Sequence, residues 1–131
     1  MIVLDTHVWI WWVSNPKKLS APARKAINYA IKGNNICISS ISVWEAVLLH
    51  SKKRLILSMN IDEWIATSEK LPFISFVPID NPIAVKSVLL PEPLHNDPAD
   101  RIIISTAITL GAELITKDEK IINYPYIKTI W

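Results

Sequence analysis

The stretch Ile2-Val3-Leu4-Asp5-Thr6-His7-Val8-Trp9-Ile10-Trp11-Trp12-Val13 passes from a short apolar run through one acid into a longer hydrophobic segment, which Ser14-Asn15-Pro16 then breaks. That pattern reads as strand, helix, turn. The same unit recurs along the chain. Ser20 to Lys32 carries Ala23, Ala26, Ile27, Ala30 and Ile31 at helical spacing and stops at Gly33. Ile36 to Ile38 reads as a second strand, Ser42 to Leu49 as a helix, Lys52 to Arg54 as a basic turn, and Ile61 to Lys70 as a helix with Ile61, Trp64, Ile65 and Ser68 inward. Ile74 to Ile79 is a third strand. Pro82 to Leu90 is a helix begun near Asp80, Pro91-Glu92-Pro93 a stiff connector, and Pro98 to Leu110 a helix closed by Gly111. Glu113 to Thr116 and Ile127 to Ile130 complete the strands. Strands alternating with helices predict an α/β fold, a three-layer α/β/α arrangement with a mostly parallel central sheet of about five strands covered on both faces.

A chain of 131 residues, 50% hydrophobic and 20% charged, fits one compact domain spanning residues 1–131. There are no internal repeats or low-complexity stretches. The single cysteine, Cys37, sits in an apolar strand and has no partner for a disulfide, which fits a reducing cytoplasm. The N-terminus lacks a basic leader, and no apolar run approaches the roughly 18 residues of a membrane span, so secretion and membrane insertion are not expected.

Four carboxylates stand apart in the sequence but alike in setting. Asp5 follows the first strand, Asp118 follows a later one, and Glu45 and Asp100 lie near helix starts. In open parallel sheets ligands bind outside the carboxyl ends of the strands, so these acids are expected at one sheet edge. Each also has an ordinary capping role available. Ser42-Val43-Trp44-Glu45 has the form of a capping box, and Thr116-Lys117-Asp118-Glu119 repeats it. Asp97-Pro98-Ala99-Asp100 reads as a cap, a proline at the first helical position and a first-turn acid, and Asp5 can cap the helix from Thr6. Four such charges within mutual reach repel unless protonated or balanced by a cation. A divalent metal answers that need, because hard cations take oxygen ligands and bind through carboxylates plus substrate phosphates. Phosphodiester hydrolysis then follows, with the ion activating water and stabilising charge on the leaving oxygen.

Net charge is 14 − 12 = +2, and with the four acids set aside the rest of the chain carries 14 − 8 = +6. The cations cluster at Lys17, Lys18, Arg24 and Lys25, and again at Lys52, Lys53 and Arg54. Such patches attract phosphate backbones, although solvated faces explain them equally.

Leu4-Asp5-Thr6-His7-Val8-Trp9-Ile10-Trp11-Trp12, Ser42-Val43-Trp44-Glu45-Ala46, Asp97-Pro98-Ala99-Asp100-Arg101-Ile102-Ile103-Ile104-Ser105-Thr106-Ala107 and Leu114-Ile115-Thr116-Lys117-Asp118 together resemble, in order and spacing, the PIN-domain ribonucleases, specifically VapC-type toxins of toxin–antitoxin pairs. The resemblance is collinear from Ile2 to Trp131. It implies a PIN-like nuclease domain in which Asp5, Glu45, Asp100 and Asp118 hold Mg²⁺ or Mn²⁺ and cut single-stranded or loop RNA. Asp97 matches a further acid of many relatives, and its capping role leaves metal contact open. The resemblance also implies a cognate VapB-type antitoxin and a homodimer. One departure is that relatives often carry a lysine soon after the central glutamate, where this chain has Leu48, Leu49 and His50 before Ser51-Lys52-Lys53-Arg54.

Thr6 and Thr116, beside two of the acids, are placed to hydrogen-bond a carboxylate or metal-bound water, with plain capping as the other reading. His95 and Arg101 flank the Asp97–Asp100 motif, as phosphate contacts or as solvated side chains, and His7 is expected to be packed. Trp9, Trp11, Trp12, Trp44, Trp64 and Trp131 are many for such a chain, and Val8 to Val13 is apolar around its whole circumference. Core packing takes some of them, and the resemblance places an antitoxin segment in the groove beside that helix. A haloacid-dehalogenase-like phosphatase would want an aspartate where His7 stands, and nucleotide-binding modules want a glycine-rich loop that Gly33 and Gly111 do not form. A non-catalytic PIN-like interaction domain is the remaining alternative, in which the acids are caps and no metal binds.

Overall fold

The computed structural model describes residues 1–131. Its elements run β1 (Ile2–Leu4), α1 (Thr6–Ser14), a 3₁₀ turn (Pro16–Lys18), α2 (Ala21–Lys32), β2 (Ile36–Ser39), α3 (Ser40–Ser51), α4 (Ile61–Glu69), β3 (Ile74–Val77), α5 (Asn81–Val88), α6 (Pro98–Leu110), β4 (Glu113–Ile115), α7 (Glu119–Ile122) and β5 (Thr129–Ile130). The five strands form one sheet in the order β3-β2-β1-β4-β5, and every pairing is parallel.

Alternation along the strands sorts the core into two layers, one on each face. Ile2 and Leu4, Ile36 and Ile38, Ile74 and Ile115 point into a layer completed by Val8, Trp9 and Ile10 of α1, Ala23, Ile27 and Ala30 of α2, and Trp64 of α4. Val3, Cys37 and Leu114 point the other way, against Ile103, Ile104 and Ala107 of α6 with Leu90, Ile121 and Tyr124. Both faces of the central strands are therefore dry, which is why these strands read as continuous apolar runs rather than as alternating ones.

Local chemistry sets the element ends. Ser20 caps α2 by accepting from the Ala23 N–H, and Asn60 caps α4 by accepting from Asp62 and Glu63. Gly111 closes α6 in the left-handed conformation, φ 63°, which costs glycine little. The third strand stops at Val77 rather than Ile79, because Pro78 has no N–H for the ladder. No helix is long and apolar enough to cross a membrane.

Part of the aromatic surplus of α1 is absorbed within the chain. Trp9 packs on Trp64 and Phe76 with ring centroids 4.5 and 5.7 Å away, and Trp12 lies 5.9 Å from Phe73. The large exposed tryptophan is Trp44 on α3. Core packing thus takes Trp9 fully, while Trp11 and Trp12 stay half-buried beside Trp131 and Phe73.

Candidate active site

The strand order reverses at β1. The chain runs outward from β1 to β2 and β3, then crosses back to β4 on the other side of β1. The crevice this leaves beyond the carboxyl ends of β1 and β4 is where open α/β sheets place ligands. Asp5 leaves β1 into it. One carboxylate oxygen, Oδ1, accepts from the Thr6 N–H at 2.8 Å, capping α1, and the other accepts from the Thr116 hydroxyl at 2.7 Å. Thr116, just past β4, also accepts from the Asp118 N–H at 3.1 Å, so a single buried hydroxyl spaces two of the acids. Asp118 caps the short α7 by accepting from the Lys120 N–H at 2.9 Å.

Glu45 enters from the middle of α3. That helix begins at Ser40, with Ser39 as its cap, so Ser42 lies inside the helix and the capping-box reading of Ser42 to Glu45 does not hold. Freed from that role, Glu45 accepts a hydrogen bond from the Thr6 hydroxyl, which lies 2.8 Å from the Ser42 hydroxyl. Asp100 comes from the first turn of α6, where Asp97 Oδ1 caps by accepting from the Asp100 N–H at 3.1 Å. Asp5, Glu45, Asp97, Asp100 and Asp118 all line one cleft of about 580 Å³, with His7, Trp11, Lys117 and Glu119 completing its walls.

Electrostatically these acids are crowded. Burial, reinforced by Asp5, Asp100 and Asp97, pushes the Glu45 carboxyl up to about 7. Asp5 is raised by burial despite the bonds from Thr116 and Thr6, and Asp100 is raised by burial and by Asp5, Asp97 and Asp118 despite its bond to His95. Carboxylates brought together where burial and mutual repulsion disfavour their charge are a donor set that fits a hard divalent cation.

His95, Arg101 and His7 take places that differ from those read in the sequence. His95 Nε2 lies 2.7 Å from Asp100 Oδ2, and His95, Asp100 and Asp118 offer three ligand-type atoms within 4.8 Å of one another. Arg101 is not a solvated entrance residue. Its Nε donates to the His95 carbonyl at 2.9 Å, and its terminal nitrogens donate to Glu92 Oε1 at 2.8 Å, the Leu94 carbonyl at 3.0 Å and the Ser87 carbonyl at 3.3 Å. It pins the connector that delivers His95. His7 is exposed on the cleft wall rather than packed, since α1 docks through Val8, Trp9 and Ile10. A histidine five residues before an acid carries no spacing rule, and only the α5–α6 connector's path brings the two together.

An acid-lined cleft at the switch point of a parallel 3-2-1-4-5 sheet defines a ligand-binding α/β domain, and the family model for the PIN domain matches residues 2–125, so the chain belongs to the PIN domain family. Within that family it is similar to Ribonuclease VapC22 of Mycobacterium tuberculosis (strain ATCC 25618 / H37Rv), at 33% identity over 132 residues, covering 99% of this chain and 98% of the relative. Two solved structures share the fold. The crystal structure of VapBC2 from Rickettsia felis, bound to a DNA fragment from its promoter, aligns with a TM-score of 0.71 at 18% identity, over 98% of this chain and 97% of that one. A toxin–antitoxin complex from Klebsiella pneumoniae aligns with a TM-score of 0.64 at 24% identity, over 96% of this chain and 94% of that one.

Proposed function

We propose that residues 1–131 act as one nuclease domain, an endoribonuclease dependent on Mg²⁺ or Mn²⁺ that serves as the toxin of a VapBC-type toxin–antitoxin pair in the cytoplasm. The observation that carries this reading is the convergence of Asp5, Glu45, Asp97, Asp100 and Asp118 on one cleft, in a chain similar to a named ribonuclease over nearly its whole length.

Asp5, Glu45, Asp100 and Asp118 are the residues that hold the cation, with Asp97 at the cleft mouth. Bound there, the ion supplies an activated water and stabilises the charge that builds on the phosphate and leaving oxygen. The chain does the rest. Thr116 and the Thr6 N–H fix both oxygens of Asp5, and the Thr6 hydroxyl fixes Glu45, so the carboxylates are held in place before the ion arrives. His95 holds Asp100 against the Asp118 side of the cleft. Exposed Trp44 and Val47 on α3, and Val88 and Leu89 at the end of α5, supply apolar surface for a VapB-type antitoxin and for a second copy of the chain in a homodimer.

A non-catalytic interaction domain is the competing reading, favoured by the capping bonds that Asp5, Asp97 and Asp118 do make. Cleavage of a mixed RNA pool by the purified protein separates the two, with Mg²⁺, with Mn²⁺, with EDTA, and with Asp5→Asn as control. Cutting that needs both the metal and Asp5 is the expected result. No cutting by a folded protein that also shows no calorimetric metal binding would leave the interaction domain standing.

A further inference from the structure

A cleft walled by carboxylates repels a phosphate backbone, so a strand that reaches it needs cations along its approach. Those cations gather around Trp11. The Lys18 ammonium lies 5.7 Å from the Trp11 ring centroid and the Lys117 ammonium 5.8 Å, and the rings of His7 and Trp131 each stand 5.9 Å away. Trp11 and Lys117 belong to the wall of the acidic cleft itself.

The same surface continues outward. Trp131 follows Ile130, and Ile130 lines a second, shallower cavity of about 910 Å³ with Arg24, Lys25, Tyr29 and Lys32 on the outer face of α2. Lys18 ends the 3₁₀ turn that leads into the same helix. Ile130 on the second cavity is thus the chain neighbour of Trp131, whose ring stands beside Trp11 on the wall of the first. No carboxylate lines the second cavity, and none of Lys18, Arg24, Lys25, Lys32 and Lys117 forms an ion pair. Tyr29, which shares the second cavity with Arg24, Lys25 and Lys32, leaves 80% of its surface in solvent.

We infer that single-stranded RNA leaves the acidic cleft across Trp11, between Lys18 and Lys117, and continues over α2, where Arg24, Lys25 and Lys32 meet its phosphates and Tyr29 stacks on a base away from the cut. Unpaired cations beside a free aromatic ring suit a strand with unstacked bases rather than a duplex. This track rests on the nuclease reading of the cleft, and it assigns to the substrate a basic face that lies outside the acidic residues.

The test is fluorescence anisotropy of a labelled, unstructured RNA of roughly 12 nucleotides binding to the cleavage-silent Asp100→Asn protein in Mg²⁺, across a salt series. Added to that background, Lys18→Ala with Lys117→Ala, and separately Arg24→Ala with Lys25→Ala and Lys32→Ala, should each weaken binding about tenfold or more at low salt. The α2 triple change should also flatten the plot of log affinity against log salt by about 2, at roughly 0.7 for each single-strand phosphate left without its cation. Tyr29→Ala should weaken binding about fivefold with the salt slope unchanged. Removing the equal charge of Lys52, Lys53 and Arg54 should leave affinity within about twofold of the parent, because local contacts and not total charge set it. Affinity that ignores the α2 changes, or falls equally with the Lys52–Arg54 control, overturns the track. Metal-dependent cutting by the unmodified protein is scored separately: binding with the predicted pattern but no cutting would sink the nuclease reading, whereas cutting with α2 changes that leave binding untouched would sink only the track.

Discussion

Asp5 is bonded through both of its oxygens, to the Thr6 N–H and to the Thr116 hydroxyl. Asparagine in its place keeps the capping acceptor for the Thr6 N–H and removes the charge, and its NH2 can donate to the Thr116 hydroxyl that the carboxylate accepted from. Asp5→Asn and Asp100→Asn are each expected to lower RNA cleavage on the order of 100-fold or more, since loss of even an outer hydrogen-bond partner of a metal ligand costs 10–100-fold. Because each removes a charge from a repulsive group, thermal melts of the metal-free variants should lie at or above that of the parent, and a marked drop would restore the acids to a purely capping role. Glu45 gives a pH signature. Its carboxyl is raised from 4.5 to about 7 in the folded chain, so between those values the folded state holds more protons than the unfolded one. Metal-free stability should therefore fall as pH rises through that window, the slope should flatten in Glu45→Gln, and a saturating divalent cation should remove it. Urea midpoints in EDTA at either end of the window check the sign. Asp5, Asp100 and Asp118 are readable from the sequence because each trails a strand or opens a helix, whereas Glu45 lies in the middle of α3. The capping-box form of Ser42 to Glu45 misleads, since Ser39 offers the earlier cap, and the His95 contact follows from a path through space that no local spacing encodes.

Arg101, on α6, joins three groups on the connector between α5 and α6 and the Ser87 carbonyl of α5, with little of its side chain exposed. Its guanidinium satisfies three carbonyls at once, which a lysine's ammonium cannot match in geometry. Arg101→Ala should cost about 2–4 kcal/mol by denaturant unfolding, the amount expected when several partly buried acceptors lose a charged donor. Arg101→Lys should recover only part of that. The elements are mostly legible in the sequence: apolar runs bounded by Gly33, Gly111 and the Asx or Ser caps mark five strands and the long helices. Boundaries fail where two signals compete. At Ser39 to Ser42 three serines offer rival caps, and at Val77 to Ile79 the apolar pattern runs past a proline that ends the ladder.

At the scale of the molecule, the acids meet only because the sheet is ordered 3-2-1-4-5, with the strand made first at its centre. That order is not readable from composition or spacing alone, since several parallel arrangements bury the same residues; the family pattern supplies it. A cation that binds the folded cleft and not the unfolded chain should stabilise the whole fold by about 2.7 kcal/mol at a concentration of 100 times its Kd. Calorimetric melting with and without Mn²⁺ tests this, and no shift at saturating metal would argue against an ion site. The Asp5 N–H is bonded to the Ile115 carbonyl at 3.0 Å, a link between residues 110 positions apart in the chain. A nascent chain that has released Asp5, Glu45 and Asp100 but not yet Glu113 to Asp118 has no β4 for β1 to pair with, no Thr116 to set its first acid, and no fourth wall. A fragment that stops before this segment carries three of the four candidate ligands but neither the strand nor the hydroxyl that sets the first of them, and it is expected to bind no cation and to cut no RNA.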